Sequence, residues 1–579
     1  MSRGQAIRPS QFVLTYGVGS IIETPSGPRI ILDYKYWGTI FGRPDTPIQL
    51  SNRFEIKDAN VSALLGGGRI FRMPTNADMQ MPDDRVLFRT GLFPRWALCQ
   101  DHKILYELTA KDTTRCPKCN PNKVARHESI RFVRACPRGH LDDVDWKRTI
   151  HQKNKSCDGS LFDWIETGST LRDITLRCRT CGESATLQDI YYRTSACSGL
   201  FPESDLRELC DEQAWVILRN ASNLRIPELV SALTIPPKTS PLHRILANPR
   251  IMPILASELS WTKSKLLSKL KTAARSIPDI NAVTIAEIEN ASEAEILSAI
   301  QDVLEPPQPH MTQQDIKERE FRALQNAAAH GAPPRPSSKP HDFEVDKDAV
   351  TLTPLSANLI LRITPVKRLR VVLAQKGYRR PVRGPTSTVV ETFYRDVPDR
   401  WYVGVELFGE GIFVDLAPSQ TLNIGNSKTA KLWVNEFINT KNYLFHPVFI
   451  WWHTLSHRLI TALSIDSGYS SASIRERIYI ISDANSANAY GGVLLYTSQP
   501  GGDGSLGGLI ALVPKFNRVI QAALRNIDSC SNDPLCSEQR LTAGRLNGAA
   551  CYACLLVSET ACEFGNSYLD RNLLRESIL

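Results

Sequence analysis

The spacing of apolar residues changes several times along this chain, and the changes mark out its parts. In the first 95 residues or so, short apolar runs at 30–32 and 86–88 are broken by turn residues, the pattern of a small mixed region. Residues 201–302 place apolar side chains three and four apart at 214–218, 251–259 and 285–303, which predicts amphipathic helices. Pro306, Pro307 and Pro309 then precede a polar helix candidate at 313–329, and four prolines fall within 331–340. Such composition suits an exposed linker or insertion. Strand-like runs recur at 359–363, 370–373, 401–407 and 412–416. The last stretch reads as a helix at 447–464, strands at 477–482 and 492–497, a glycine loop, and a helix at 507–526.

These elements predict an α+β multidomain protein. Its expected segments are 1–95 (mixed α/β), 96–200 (zinc-ribbon-like), 201–302 (helical), 303–341 (linker or insertion), 342–440 (strand-rich and basic) and 441–579 (mixed α/β with a cysteine-cluster zinc site). A chain of 579 residues is too long for a single core, so several domains are expected. Residues 443–465 are the most apolar stretch, but His446, His453, His457 and Arg458 within it favour a buried helix over a membrane span. With no signal-peptide pattern at the start, the sequence points to a cytoplasmic protein.

Cysteine placement adds the chemistry. Of 14 cysteines, nine lie between Cys99 and Cys210 and five between Cys530 and Cys562. Closely spaced pairs in a long chain favour metal over disulfides. Cys99-x2-His102 followed by Cys116-x2-Cys119 is a complete four-ligand set for a closed tetrahedral zinc. Cys178-x2-Cys181 needs a second pair. Cys157 and Cys197, each in a Cys-x-Gly context, are preferred to Cys136 and His140, which together with Cys210 remain either core residues or ligands of a further ion. At the C-terminal end, Cys551, Cys554 and Cys562 supply three ligands. Cys530 and Cys536 compete for the fourth place, and the shorter loop favours Cys536. About three zinc ions follow, all structural.

Charge and catalytic motifs narrow the function. Net charge is +9, a mild bias toward polyanions. Eight Lys or Arg and no acid fall between residues 362 and 383. Lys367, Arg368, Arg370, Arg379, Arg380 and Arg383 are the candidates for sequence-independent phosphate contacts. The alternative for this run is a solvated edge strand. His453-x3-His457 lacks the Glu that a zinc hydrolase carries, so buried histidines are expected there. The Gly501–Gly508 loop lacks the Gly-Lys-Ser/Thr ending of a phosphate loop, so no motor and no catalytic residue is predicted.

Several motifs carry a family resemblance. His453-Thr-Leu-Ser-His457, Pro500-Gly-Gly-Asp-Gly504, Asn547-Gly-Ala-Ala-Cys-Tyr-Ala-Cys554, Glu559-Thr-Ala-Cys562 and Leu569-Asp-Arg571 resemble the zinc-binding domain that accompanies certain DNA helicases. Arg8-Pro-Ser-Gln11, Tyr16-Gly-Val-Gly19 and Cys136-Pro-Arg-Gly-His140 extend the likeness to the DrmB family of bacterial DISARM anti-phage systems. The resemblance implies a heteromeric complex with the DrmA helicase and engagement of phage DNA. It also implies operation beside a DNA methyltransferase and a phospholipase-D-like protein; no membrane partner is expected from the sequence itself. Two other functions stay open: a metal-dependent nuclease around His453, His457 and Asp503, or a scaffold that touches only protein.

Overall fold

The computed structural model describes residues 7–37, 54–78, 88–108, 116–120, 126–234, 241–304, 311–331, 342–382, 387–395, 400–481, 490–500, 507–538, 541 and 546–578, save single positions within these stretches. Arg383 and Asp503 lie outside the described residues. The fold is mixed α/β, and the chain divides into two compact units. One comprises Met1–Lys57, Gly67–Ser231 and Leu373–Val405; the other comprises Asp58–Gly66, Ala232–Val372 and Glu406–Leu579. The units thus interleave along the chain, where the sequence suggested six consecutive segments. Two long strands, Leu359–Arg379 and Arg400–Leu416, contribute residues to both.

The first unit contains small antiparallel sheets of short strands. A six-stranded sheet runs in the order Ser184–Thr186, Ile174–Cys178, Phe162–Glu166, Ile104–Glu107, Trp96–Cys99 and His127–Ser129. Trp96, Leu105, Trp146, Phe162, Leu176 and Ile190 form part of its core. A four-stranded sheet runs Ser195–Ala196, Gln213–Leu218, Phe132–Ala135 and Leu141–Asp143. Its second strand corrects the helix expected at 214–218. Trp215, Val216 and Ile217 are aromatic and β-branched residues that suit a pleated surface. Partners on both edges fix them there, with Ala214 opposite Ser195 and Trp215 opposite Ala135.

The second unit is built around helix Pro447–Asp466, which is buried on nearly every face, including Phe449, Trp451, Trp452, Leu455 and Leu459. It shares one core with Leu361, Ile363, Val414, Ile478, Val493, Phe516 and Leu573. Residues 411–415 pair with Tyr490–Tyr496, which pairs in turn along its whole length with Arg475–Ile481. The helix expected at 507–526 is divided into a 3-10 turn, Ile510–Lys515, and an α-helix, Phe516–Leu524, because Pro514 lacks the amide that would continue one ladder. Short helices between Pro241 and Leu304 bury Leu246, Leu255, Leu266, Ile288 and Ile296 in a separate cluster.

The segment expected as a linker contains helix Gln313–His330, opened by a Thr312–Asp315 capping box. Ile316, Phe321 and Leu324 are buried along it. Lys317 pairs with Glu563 at 2.7 Å, and Glu320 pairs with Arg477 at 2.5 Å. The helix matches the polar candidate at 313–329; its burial is what the sequence does not show, because its charges meet partners far along the chain. Among the described residues no helix is long and apolar enough to cross a membrane.

The basic run is also internal to a large extent. Arg362 grips Asp415 through two nitrogens, Lys367 meets Asp346 at 2.7 Å, and Arg368 lies over the Phe408 ring. Arg370 is buried against Glu406 at 2.6 Å and Thr234 at 2.8 Å. Arg379 meets Glu228 at 2.8 Å. Arg380 is fully buried and donates to the carbonyls of Gly139, Leu224 and Gly19 at 2.9, 2.9 and 3.2 Å. The expectation of phosphate contacts is therefore corrected for Arg370 and Arg380, whose charges are enclosed by protein. Arg380→Met leaves three buried carbonyls without a donor and should cost about 3–5 kcal/mol. Lys367→Met removes an exposed pair and should leave the unfolding midpoint nearly unchanged. Urea denaturation of both variants checks this; equal midpoints would contradict the burial assigned to Arg380.

Candidate metal centres

Hairpin geometry gathers the cysteines. Cys99 lies opposite Ile104, so Cys99 and His102 occupy the turn of one hairpin. Ala135 lies opposite Leu141, which places Cys136 and His140 in the turn of a second. Arg177 lies opposite Ser184, which does the same for Cys178 and Cys181. Every cysteine is a free thiol, and their contacts of 3.4–3.9 Å are far beyond a disulfide bond of about 2.05 Å. A tetrahedron with zinc–sulfur bonds of about 2.3 Å has sulfur–sulfur edges near 3.8 Å, which is the spacing found.

Four cysteine-rich clusters result. In the first, His102 Nδ1 faces Cys99, Cys116 and Cys119 at 3.5, 3.7 and 3.5 Å, as the spacing predicts. The second joins Cys157, Cys178 and Cys181 to buried His151, with Cys157 and Cys178 3.9 Å apart. The third joins Cys136, His140, Cys197 and Cys210. His140 Nδ1 lies 3.3 Å from Cys136 and 3.5 Å from Cys197. The fourth is Cys530, Cys536, Cys551 and Cys554, with Cys530–Cys551 at 3.4 Å and Cys536–Cys554 at 3.7 Å.

The surroundings of these clusters prepare ligands. His140 Nε2 contacts Glu208 Oε1 at 2.9 Å, and a proton held there turns the Nδ1 lone pair toward the sulfurs. Cys136 is pulled down to about 4 by its hydrogen bond with Cys197, and the same contact pushes Cys197 above the ordinary thiol range. Backbone amides of Thr180, Gly199 and Asn532 point at Cys178, Cys197 and Cys530 at 3.4, 3.4 and 3.5 Å. Gly199 is needed in this form: it has φ +66°, and a Cβ there would lie 1.7 Å from the Glu208 carbonyl. Around the fourth cluster, Asp533 accepts the Cys530 amide at 2.8 Å and is held by Arg571 at 2.8 and 2.9 Å.

The structure regroups two of the expected ligands, Cys197 and Cys562. Cys197 does not complete the Cys157–Cys178–Cys181 set. Strand Ser195–Ala196 pairs with Gln213–Leu218 in the sheet that carries the Cys136–His140 turn, so Cys197 and Cys210 converge on that turn. Its place beside Cys157 is taken by His151, which caps helix Trp146–Ile150 and has no knuckle spacing to announce it. Cys530 and Cys536 both join the C-terminal cluster, whereas Cys562 does not. It is buried 3.3 Å from His453 Nε2, beside His457 and Glu476. Burial pushes the His453 imidazole below its ordinary value. Four thiolate-rich sets, each closed by protein atoms, can fix a fold around zinc but offer no open position for activating water.

Separate membership of the Cys178 and Cys197 centres has a stoichiometric consequence. Cys178→Ser and Cys197→Ser should each lower bound zinc by one equivalent, and the double variant by two, as read by native mass spectrometry. A double variant that loses only one would return both residues to a single centre.

Three matches to known proteins agree with this layout. Residues 8–226 match a family described as a domain of unknown function, DUF8724, and so span the three N-terminal clusters. Residues 455–555 match the MrfA Zn-binding domain, which includes all four cysteines of the C-terminal cluster. The DISARM protein DrmB of Bacillus paralicheniformis is 28% identical over 607 aligned positions, covering 96% of this chain and 98% of that protein. The anticipated likeness to the DISARM protein DrmB thus runs along nearly the whole sequence, and the match to a zinc-binding family falls where four sulfurs converge.

Proposed function

We propose that this chain is a non-motor, zinc-stabilised subunit of a DISARM anti-phage system, which engages phage DNA without sequence specificity beside a DrmA helicase. The observation that carries the reading is the similarity to a DISARM subunit over 96% of the chain. A match to the MrfA Zn-binding domain and clusters able to hold zinc support the stabilising role. The net charge of +9 is compatible with a nucleic-acid partner. Within the basic run, Lys367 and Arg379 keep exposed surface, with side chains 44% and 38% accessible, so they remain candidates for backbone phosphates. Both already have acidic partners, and a phosphate would compete with a carboxylate for each.

That internal pairing favours a protein-only scaffold as the second reading. The two separate in one experiment: co-purify the chain with a DrmA helicase and titrate the complex with duplex and single-stranded DNA at several salt concentrations. A Lys367→Ser/Arg379→Ser complex should bind more weakly than the parent, with a shallower salt dependence. Unchanged binding would remove this run from the DNA path. A complex in which this chain adds nothing to the affinity of the helicase would leave the scaffold. Absence of co-purification would remove the helicase partnership.

A further inference from the structure

Helix Pro447–Asp466 carries His453 and His457 one turn apart, both fully buried. The backbone orients each ring. His453 Nδ1 lies 3.2 Å from the Tyr568 carbonyl, and His457 Nδ1 lies 2.9 Å from the Leu555 carbonyl. A carbonyl only accepts, so each Nδ1 donates, and a neutral ring then presents a lone pair on Nε2. Both Nε2 atoms face one carboxylate oxygen: Glu476 Oε1 lies 3.0 Å from His453 Nε2 and 3.5 Å from His457 Nε2. Cys562 Sγ completes the group, 3.3 Å from His453 Nε2. The four ligand atoms lie within 4.8 Å of one another, and His457 Nε2 makes no hydrogen bond.

Two imidazole lone pairs, a carboxylate and a sulfur converging in a solvent-free space make a donor set for a cation, and the His457 lone pair has no hydrogen-bond partner there. One proton on His453 Nε2 would serve Glu476 but leave His457 Nε2 unmet. Protons on both rings would set two imidazolium ions, with centroids 4.7 Å apart, beside one carboxylate in the core. A divalent ion answers all four groups together. We propose that His453 Nε2, His457 Nε2, Glu476 and Cys562 Sγ form a fifth metal centre, in which two imidazoles, a carboxylate and a thiolate close around zinc(II).

The shell around the group is that of a thiolate and a positioned carboxylate. The amides of Phe564 and Asn566 point at Cys562 Sγ at 3.3 and 3.2 Å. Ser456 Oγ donates to Glu476 Oε2, and the Glu563 amide donates to Oε1 at 3.2 Å. Phe449 and Phe564 pack against the His453 ring and keep water out. Zinc entry takes the thiol proton of Cys562 into solvent, so the bound sulfur is a thiolate. The ligand set joins helix Pro447–Asp466, strand Arg475–Ile481 and the segment holding Cys562. That cysteine lies beyond residues 455–555, where the zinc-domain match ends. Four protein ligands and full burial leave no position for a reacting water, so the centre is a clamp and not a nuclease site.

Crystals of the purified full-length protein, measured on both sides of the zinc absorption edge, decide the matter. An anomalous peak is expected within bonding distance of His453 Nε2, His457 Nε2 and Cys562 Sγ. Peaks at the cysteine clusters with none here would overturn the proposal. In solution, His457→Gln and Cys562→Ala should each hold one zinc fewer than the parent by native mass spectrometry, and unchanged stoichiometry in both would also overturn it. If circular dichroism finds a variant unfolded, the anomalous map of the parent protein still gives the answer.

Discussion

A helix buried on nearly every face must satisfy each polar side chain it takes inside, and the second unit is arranged around that requirement. Helix Pro447–Asp466 encloses His453, Thr454, Ser456 and His457 with no surface to turn them toward. Unpartnered, each would cost on the order of 1–3 kcal/mol. Thr454 accepts the Asp570 amide at 3.0 Å, and Ser456 reaches Glu476. His457 holds the Leu555 carbonyl, while Arg458 holds those of Cys554 and Ala523 at 3.1 and 2.6 Å. The middle of the helix therefore grips the backbone at the end of the Cys551–Cys554 knuckle directly. Asp570 links the other side, accepting the Trp433 indole at 2.8 Å, and its neighbour Arg571 fixes Asp533 behind Cys530. Motifs that look unrelated in sequence are successive contacts of one buried polar assembly.

Legibility in the sequence follows the range of the interactions. Cys-x2-Cys and Cys-x2-His pairs are set by a single tight turn, so the Cys99–His102–Cys116–Cys119 set and both remaining knuckles can be read from spacing alone. Membership beyond the knuckle is decided by strand pairing. Cys197 and Cys210 reach Cys136 only because Gln213–Leu218 lies between Ser195–Ala196 and Phe132–Ala135. His151, Cys210 and Glu476 carry no local signal at all. The apolar helix near 447–464 is legible from composition, whereas strand Gln213–Leu218 is obscured because a short apolar run fits either period.

The basic run illustrates the same limit from the electrostatic side. A charge count along the chain sees eight cations and no acid between 362 and 383, and reads an exposed basic surface, either for phosphates or as a solvated edge strand. Long strands bring acids from elsewhere: Asp346, Glu406, Asp415 and Glu228 each meet one of these side chains. Arginine suits such burial because its planar fork fits a carboxylate, or several carbonyls at once as Arg380 does, while staying charged. The burial of helix Gln313–His330 is hidden for the complementary reason, since Lys317 and Glu320 look like solvent positions until Glu563 and Arg477 are seen beside them.

Metal and core divide the stabilising task differently in the two units. In the first unit the strands at the edge that carries the Cys136–His140 turn are short, from two to six residues. Its clusters tie hairpin turns to distant partners, the widest spanning Cys136 to Cys210. Closing a longer loop costs only about 0.6 kcal/mol for each doubling of length, whereas a structural zinc contributes on the order of 10 kcal/mol. Spacing along the chain is thus no obstacle to a zinc-held sheet, and short strands become sufficient. In the second unit a large apolar core already orders the helix and sheet, and metal ligands extend from its buried polar edge. Loss of zinc should therefore dissolve the sheets of the first unit while leaving helix Pro447–Asp466 and its apolar partners in place. The two parts of a single chain would respond unequally to the same chelator.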